Sequence, residues 1–493
     1  MADTVLAIDQ GTTGTTVFVL DQSGRIRGRA YGEIRQYYPR AGWVEHDPEE
    51  IYRSVVRLSK SALAAAKLRA RDLSAIGITN QRETFVVWER SNGRPIGRAI
   101  VWQCRRSAEI CDQLRAREAE VTARTGLLLD PYFSGTKLKW MLDQKPGLRA
   151  RAAQGALCFG TIETWLIFKL SRGSAFVTDY TNASRTMLFN LERRMWDAAM
   201  LEMLGVPVEM LPEPVSSRGP LAEAAAGTIG ERPIVIGAAI GDQQSALYGQ
   251  GAVDSGHAKS TYGTGAFLLM HTGTTPVRSH NRLLTTAALG AHGEPAYALE
   301  GSVFIAGAAV QWLRDGIKLI DKAAQTLLMA RKSRQRDQPY VVPAFVGLGA
   351  PYWDSGARGA ILGITFGTTR EDVVRATLDS IAYQVLEVLL AMEADTGVRM
   401  TELRVDGGAS ANDYLMQFQA DLLALPVRRP KLAETTALGA AMLAGLATGV
   451  WRSEDSLASL RKTDRVFEPK MGAEERDRLI DGWREAVKRV RTR

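Results

Sequence analysis

The chain writes one local plan twice, half its length apart: a short apolar strand, a turn of glycine and threonine, and a returning strand. In the first copy residues 4–8 are apolar, 11–14 form the turn, and the β-branched and apolar residues 15–20 return to a second turn at 21–24. In the second, residues 258–262 lead into Gly263, Thr264 and Gly265, and residues 266–270 return towards Thr272 and Gly273. Glycine-rich turns between β-branched runs are hairpin signals. Two such hairpins predict an α/β fold of two similar domains, one opening at each hairpin. The mostly small and polar segment 249–256 places the division so that residues 1–250 form one domain and 251–493 the other. A length of 493 residues fits this, since it corresponds to about two to three domains.

Other segments support alternating strands and helices. Residues 85–89 and 100–103 read as strands, with Asn92-Gly93 as a hairpin-type turn between them. Residues 234–240 form a short apolar run ending at Gly241, as a buried strand would. Between 370 and 395, Val373, Val374, Leu378, Ile381, Val385, Leu389 and Met392 recur at helical spacing. Thr369 suits the N-cap, Glu371 and Asp372 the first turn, and Gly397 the end. Alternation of this kind predicts mixed sheets covered by helices.

Composition excludes several classes. Hydrophobic residues make up 45% and charged residues 24%, which is ordinary for a soluble globular protein. The apolar start is too short for a signal peptide, and no run approaches the roughly 20 apolar residues that span a bilayer. Cys104, Cys111 and Cys158 cannot build a disulfide framework and lack metal-site spacing, so they read as packed thiols in a reducing cytoplasm. The net charge of +8 is diffuse apart from Lys488, Arg489, Arg491 and Arg493 at the C-terminal end. It suits phosphate-bearing substrates, and no nucleic-acid partner is expected.

Several clusters could carry chemistry. In IDQGTTGTT (8–16), the glycines let backbone N–H groups approach a phosphate, Thr12 and Thr13 add donors, and Asp9 could hold Mg²⁺ through water. A plain tight turn reads equally well there. YGTGAF (262–267) repeats the logic with Thr264 as donor. VDGGASAN (405–412) is a strand entering a helix through glycines, suited to a phosphate or a flat base, or simply to a connection. No GxxxxGK[ST] loop and no complete GxGxxG fingerprint occurs, which removes support for Walker-type and dehydrogenase-type nucleotide binding. Asp242, in GDQQ after a strand, could accept a proton from a hydroxyl. Asn80, Gln81, Arg82 and Glu83 form a polar cluster at another strand end; Arg82 and Glu83 alone fit a surface ion pair as well as a substrate grip.

Together these segments resemble the FGGY carbohydrate kinase family over nearly the whole chain, from Leu6 to about Arg489. The resemblance includes GWVEHDP (42–48), GITNQRET (77–84), IVWQCRR (100–106), DPYFSGTK (130–137), TDYTNASRTMLFN (178–190) and VVPAFVGLGAPYWD (341–354). It implies two actin-like, ribonuclease-H-like domains with a cleft between them, and ATP-dependent phosphorylation of glycerol. It assigns hydroxyl contacts to Arg82, Glu83, Tyr132, Asp242 and Gln243, and places Trp102 and Phe267 on the carbon chain. ATP contacts fall on Thr12, Thr13, Gly14, Thr264, Gly307, Gln311, Gly408 and Asn412, with Mg²⁺ near Asp9 and Asp242 as general base. Another polyol or ketose kinase of the family is the alternative, but the pocket set Arg82, Glu83, Trp102, Tyr132 and Phe267 narrows the site to three carbons. Family members are often homodimers or homotetramers. Two departures stand out. Thr16 occupies a position that commonly carries a phosphate-contacting arginine. Residues 216–233 lack the glycine- and lysine-rich loop that binds fructose 1,6-bisphosphate in some relatives.

Overall fold

Both hairpins form, and each seeds a sheet of the same plan. The computed structural model describes residues 3–334 and 339–492; Arg493 of the basic C-terminal end lies outside them. In the first sheet Thr4–Gln10 pairs antiparallel with Gly14–Asp21, which pairs with Ile26–Glu33. On its other side Thr4–Gln10 runs parallel to Leu73–Asn80, then Ile234–Gly241, with antiparallel Arg218–Ala224 at the edge. The second sheet repeats the order. Ala258–Tyr262 pairs antiparallel with Ala266–Gly273, which pairs with Pro295–Val303. It also runs parallel to Leu403–Asp406 and Val427–Pro430, with antiparallel Thr463–Phe467 at that edge. Leu284–Leu289 is the one addition. Val5, Leu6, Ala7 and Ile8 are all fully buried. A strand covered on both faces is apolar without alternation.

The helices explain that cover. Arg370–Thr396 begins with a capping box: the Thr369 hydroxyl accepts from the Asp372 N–H, and the Asp372 carboxylate accepts from the Thr369 N–H. Gly397, at φ 67°, ends it. Its inner face, including Leu378, Ile381, Val385 and Leu389, is buried in the core of the second sheet. Thr435–Ala447 is different. Although late in the chain, it packs Ala437, Ala440, Ala441 and Ala444 against Val5, Ala7 and Ile240 of the first sheet. Small residues allow the close approach: a Cβ on Gly439 would lie 2.0 Å from the Ser245 carbonyl oxygen. Helix Thr435–Ala447 therefore touches helix Asp242–Gly249 backbone to backbone and fixes where Asp242 stands.

A smaller sheet joins Glu45–His46, Ala99–Ile100, Phe85–Glu89 and Leu157–Thr161. The strand expected over 100–103 stops at Ile100. Beyond it the chain turns: the Trp102 N–H donates to the Thr84 hydroxyl, and the Trp102 indole donates to Thr12 Oγ1 at 2.9 Å. Side-chain bonds there outcompete strand pairing. All three cysteines are buried and free. No helix among the described residues is long and apolar enough to cross a membrane.

Candidate active site

The candidate residues collect at the carboxyl ends of the parallel strands, where open α/β sheets place their ligands. Strand Leu73–Asn80 runs into a tight turn in which the Thr84 N–H donates to the Arg82 carbonyl at 2.7 Å, with Glu83 at φ 61°. A non-glycine residue held there typically stores about 1–3 kcal/mol. The turn is secured by the Ser134 hydroxyl donating to the Glu83 carbonyl and the Gln81 N–H donating to the Gln10 carbonyl, both at 2.8 Å. Arg82 and Glu83 are 3% and 1% exposed, so they are no surface ion pair.

They belong instead to a closed circuit of buried charge. Arg82 grips Glu300 with two N–H groups, at 2.6 and 3.0 Å. Arg185 donates to Glu83 at 2.6 Å and to Glu300 at 2.9 Å. The guanidinium of Arg185 also lies 5.7 Å from the centre of the Tyr132 ring, and its buried Nη1 has no hydrogen-bond partner among the described residues. Burial acts to raise the Glu300 pKa, but Arg185 and Arg82 outweigh it and hold it at about 2. For Glu83 burial prevails over the same two arginines and the pKa is raised. Glu300 lies on strand Pro295–Val303 of the second sheet, so the circuit joins both halves of the chain.

Asp242 starts helix Asp242–Gly249 beside this circuit. Its Oδ1 accepts from the Gln243 N–H at 2.7 Å and lies 3.2 Å from Arg82 Nε. Its side chain is 29% exposed. Burial raises its pKa, opposed by Arg82 and Lys259. Gln243 is less open than expected, because its side-chain oxygen accepts from the buried Lys259, which also donates to Thr261 at 2.9 Å. Burial lowers the Lys259 pKa to about 8 against the pull of Asp406 and Asp242. Aromatic walls complete this side: Trp102 meets Tyr132 edge-to-face at 5.5 Å. Phe267 pairs across the second sheet with Ser302, two residues along from Glu300.

The turns expected to hold phosphate differ in character. Thr12, half-buried, and Thr13, exposed, sit in a turn whose Gly11 N–H bonds the Gly14 carbonyl at 2.9 Å. Asp9 stands at the end of strand Thr4–Gln10, and no donor among the described residues reaches its carboxylate. Burial, then the charges of Asp242 and Glu434, raise its pKa to about 7. In the second hairpin, the Gly263 carbonyl accepts from the Gly307 N–H and the Thr264 carbonyl from the Ala306 and Ala308 N–H groups, at 2.9 to 3.0 Å. That seats helix Gly307–Gln311, and Gln311 with it, directly behind Thr264. Gly407, at φ 85°, packs so closely that a Cβ there would lie 2.5 Å from the Tyr262 carbonyl oxygen, whereas Gly408 faces open space. Asn412 caps helix Asp413–Leu423, accepting from Tyr414 and Leu415 N–H groups, and donates to Thr326. Its side chain is thus committed to the fold. Among the described residues, no three His, Cys, Asp or Glu side chains gather as a ready-made metal cage.

Arg185, Glu300 and Lys259 were not singled out from sequence. Each sits in a short apolar or small-residue context, Glu300 in YALEG (297–301) and Lys259 in AKSTY (258–262). A lone charge inside a buried strand requires a partner, and that was the available signal.

Two sheets of matched plan, each opened by a glycine hairpin, and a buried polar grip with a carboxylate beside it are the features a family assignment must account for. The chain belongs to the FGGY family of carbohydrate kinases, matching its N-terminal domain over residues 4–249 and its C-terminal domain over 258–448. It is 54% identical to a glycerol kinase of Geobacillus kaustophilus, covering 98% of each chain. It is 53% identical to glycerol kinase 2 of Thermotoga maritima, again over 98% of each. The structure superposes on Plasmodium falciparum glycerol kinase with ADP at a TM-score of 0.93 and 37% identity, covering 99% of this chain and 98% of that one.

Proposed function

We propose that this protein transfers the terminal phosphoryl group of ATP to a primary hydroxyl of glycerol, giving sn-glycerol 3-phosphate and ADP. The observation that carries this reading is Asp242, which stands beside the buried polar grip with no contact among the described residues on its Oδ2. Arg82, Glu83, Tyr132 and the Gln243 amide bind the hydroxyls, while Trp102 and Phe267 line the carbon chain and limit the pocket to a short polyol. As the glycerol oxygen bonds to the γ-phosphorus, the bond to the β–γ bridging oxygen breaks, its electron pair leaves with ADP, and Asp242 takes the hydroxyl proton.

Thr12, Thr13, Gly14, Thr264 and Gly307 present backbone and hydroxyl donors to the phosphates, and Gln311, Gly408 and Asn412 frame the nucleoside. Residues 1–250 thereby carry most of the polyol side and 251–493 the adenosine side. Asp9 fits Mg²⁺: no donor among the described residues reaches its carboxylate, which feels two like charges, and Mg²⁺ is typically held by one or two carboxylates plus phosphates. The ion, when bound, would neutralise charge on the phosphoryl oxygens. Cytoplasmic location and a homodimeric or homotetrameric state are inferred from the family and, for location, from the three free thiols.

A coupled ADP-release assay on purified protein tests the reading. Glycerol should be turned over with far higher kcat/KM than any five-carbon ketose or sugar acid. Preference for a pentulose would overturn it.

A further inference from the structure

A guanidinium beside a carboxylate normally closes on it with two parallel N–H bonds. Arg82 lies near three carboxylates and gives its paired N–H groups to only one, Glu300. Glu83 stays 4.0 Å from Arg82 Nε, and Asp242 receives only that Nε, at 3.2 Å. The contacts of Asp242 with Arg82 and with the Gln243 N–H both fall on Oδ1, and none among the described residues falls on Oδ2.

The allocation has physical causes. Glu300 is fully buried on a strand, whereas Asp242 keeps 29% side-chain exposure, although burial penalises its charge too. A fully buried carboxylate deprived of its partner is costlier than a partly exposed one. Glu300 is also anchored from behind by Arg185. The remaining Nη1 hydrogen of Arg82 points to Gln244 Oε1 at 3.2 Å, and Gln244 in turn donates to Thr286 at 3.0 Å and to the Ala287 carbonyl at 3.1 Å. Three of the five N–H groups of Arg82 are therefore engaged, all by Glu300 and Gln244, while its Nε lies 3.2 Å from Asp242.

From this geometry we infer that Glu300 is a positioning residue: it holds the paired N–H groups of Arg82 away from Asp242 and so keeps an Asp242 oxygen free to receive the substrate proton. The inference rests on Asp242 being the base, as proposed above. Glu300→Gln keeps the volume but cannot match the two-fold grip, and Arg82 can then close on Asp242 and occupy both its oxygens.

The test is a double-mutant cycle on the full chain, with folding checked by thermal melting. Glu300→Gln should lower kcat by on the order of 10²-fold, the lower part of the range for a lost general base, with ATP KM within about twofold. Glu300→Asp, which keeps the charge, should recover most of that loss. In an Asp242→Asn background the same Glu300→Gln change should have little further effect, because residues acting through one another are not additive. Equal losses in both backgrounds, or a folded Glu300→Gln enzyme with near-normal kcat, would overturn the inference and leave Asp242 as base. If Asp242→Asn alone stays active, the base assignment fails and the role of Glu300 falls with it. Should Glu300→Gln not fold, Glu300→Asp carries the test: a partial kcat loss that vanishes in the Asp242→Asn background supports the inference, and an additive loss sinks it.

Discussion

The two sides of the cleft are built from different materials. The proposed polyol side is made of side chains: Arg82, Glu83, Arg185 and Glu300 lie almost wholly out of solvent and neutralise one another across both sheets. The proposed phosphate side is made of backbone on glycine turns that are half-buried to exposed, with Asp9 as a carboxylate that no donor among the described residues reaches. The first is shaped before substrate arrives, so its energy goes into orientation. The second offers N–H groups and a carboxylate that only phosphates and a cation would complete. Damage to the two sides should therefore appear in different kinetic constants.

The largest separation is expected from Asp242→Asn. The substitution keeps size and one oxygen acceptor, so glycerol can still bind while proton transfer fails. We expect kcat to fall by ~10² to 10⁴, with ATP KM little changed. Because phosphoryl transfer depends mainly on positioning and charge, the low end of that range is favoured. Steady-state kinetics in both substrates decide it; an Asn variant keeping more than about a third of kcat would reduce Asp242 to an orienting role.

Asp9→Asn should break the other side. Its effect is expected in the Mg²⁺ titration of activity, where the half-saturating concentration rises by on the order of 10- to 100-fold, the range seen when groups supporting a metal are lost. Saturating Mg²⁺ should return much of kcat. An unchanged titration would move the metal away from Asp9.

This contrast also explains what could be read from sequence. The phosphate side is local: glycines, threonines and an acid within a few residues of one another, so both hairpins and the capped helix after Thr369 were legible. The polyol side is only half local. Arg82 and Glu83 adjoin in sequence, but Arg185 lies 102 residues from Glu83, and Glu300 lies 218 from Arg82. No periodicity connects such positions; only the tertiary pairing of charges does. The same limit hid helix Thr435–Ala447, whose alanine-rich stretch does not say which of two sheets it will cover. The sequence around Trp102 reads as a strand for the same reason: the bond from its indole to Thr12 is long-range.

Adjacent glycines sharpen the comparison within the phosphate side. Gly407→Ala introduces a Cβ 2.5 Å from the Tyr262 carbonyl oxygen at φ 85°, so it should destabilise the fold by about 1–3 kcal/mol before any ligand is added. Gly408→Ala meets nothing within 4 Å and should leave the melting temperature alone. If the nucleoside slides against this turn, that same methyl raises ATP KM several-fold, roughly 1 kcal/mol of lost contact. Melting curves and ATP titrations on both variants separate the effects; a Gly408→Ala enzyme with unaltered ATP KM would move the nucleoside elsewhere.

The smallest effect is expected at Thr16. It lies on strand Gly14–Asp21, half-buried, paired directly across from Asp9. Directly opposite residues of an antiparallel pair project to one face, so an arginine at 16 would stand beside the Asp9 carboxylate as well as near the phosphate turn. Two outcomes compete. A guanidinium that reaches phosphate forms charge-assisted bonds, roughly twice as strong as the neutral one a threonine hydroxyl can make. ATP KM should then fall a few-fold, or kcat rise by as much. A guanidinium that folds back on Asp9 instead would compete with Mg²⁺. The cation requirement separates them, since only the second raises it. We expect the first, because on the proposed reading Asp9 would already be engaged by the cation, and the phosphates carry the larger negative charge. If Thr16→Arg weakens ATP and raises the Mg²⁺ requirement together, the threonine is fitted to this turn, and the phosphate side depends on the isolation of Asp9 as closely as the polyol side depends on its paired charges.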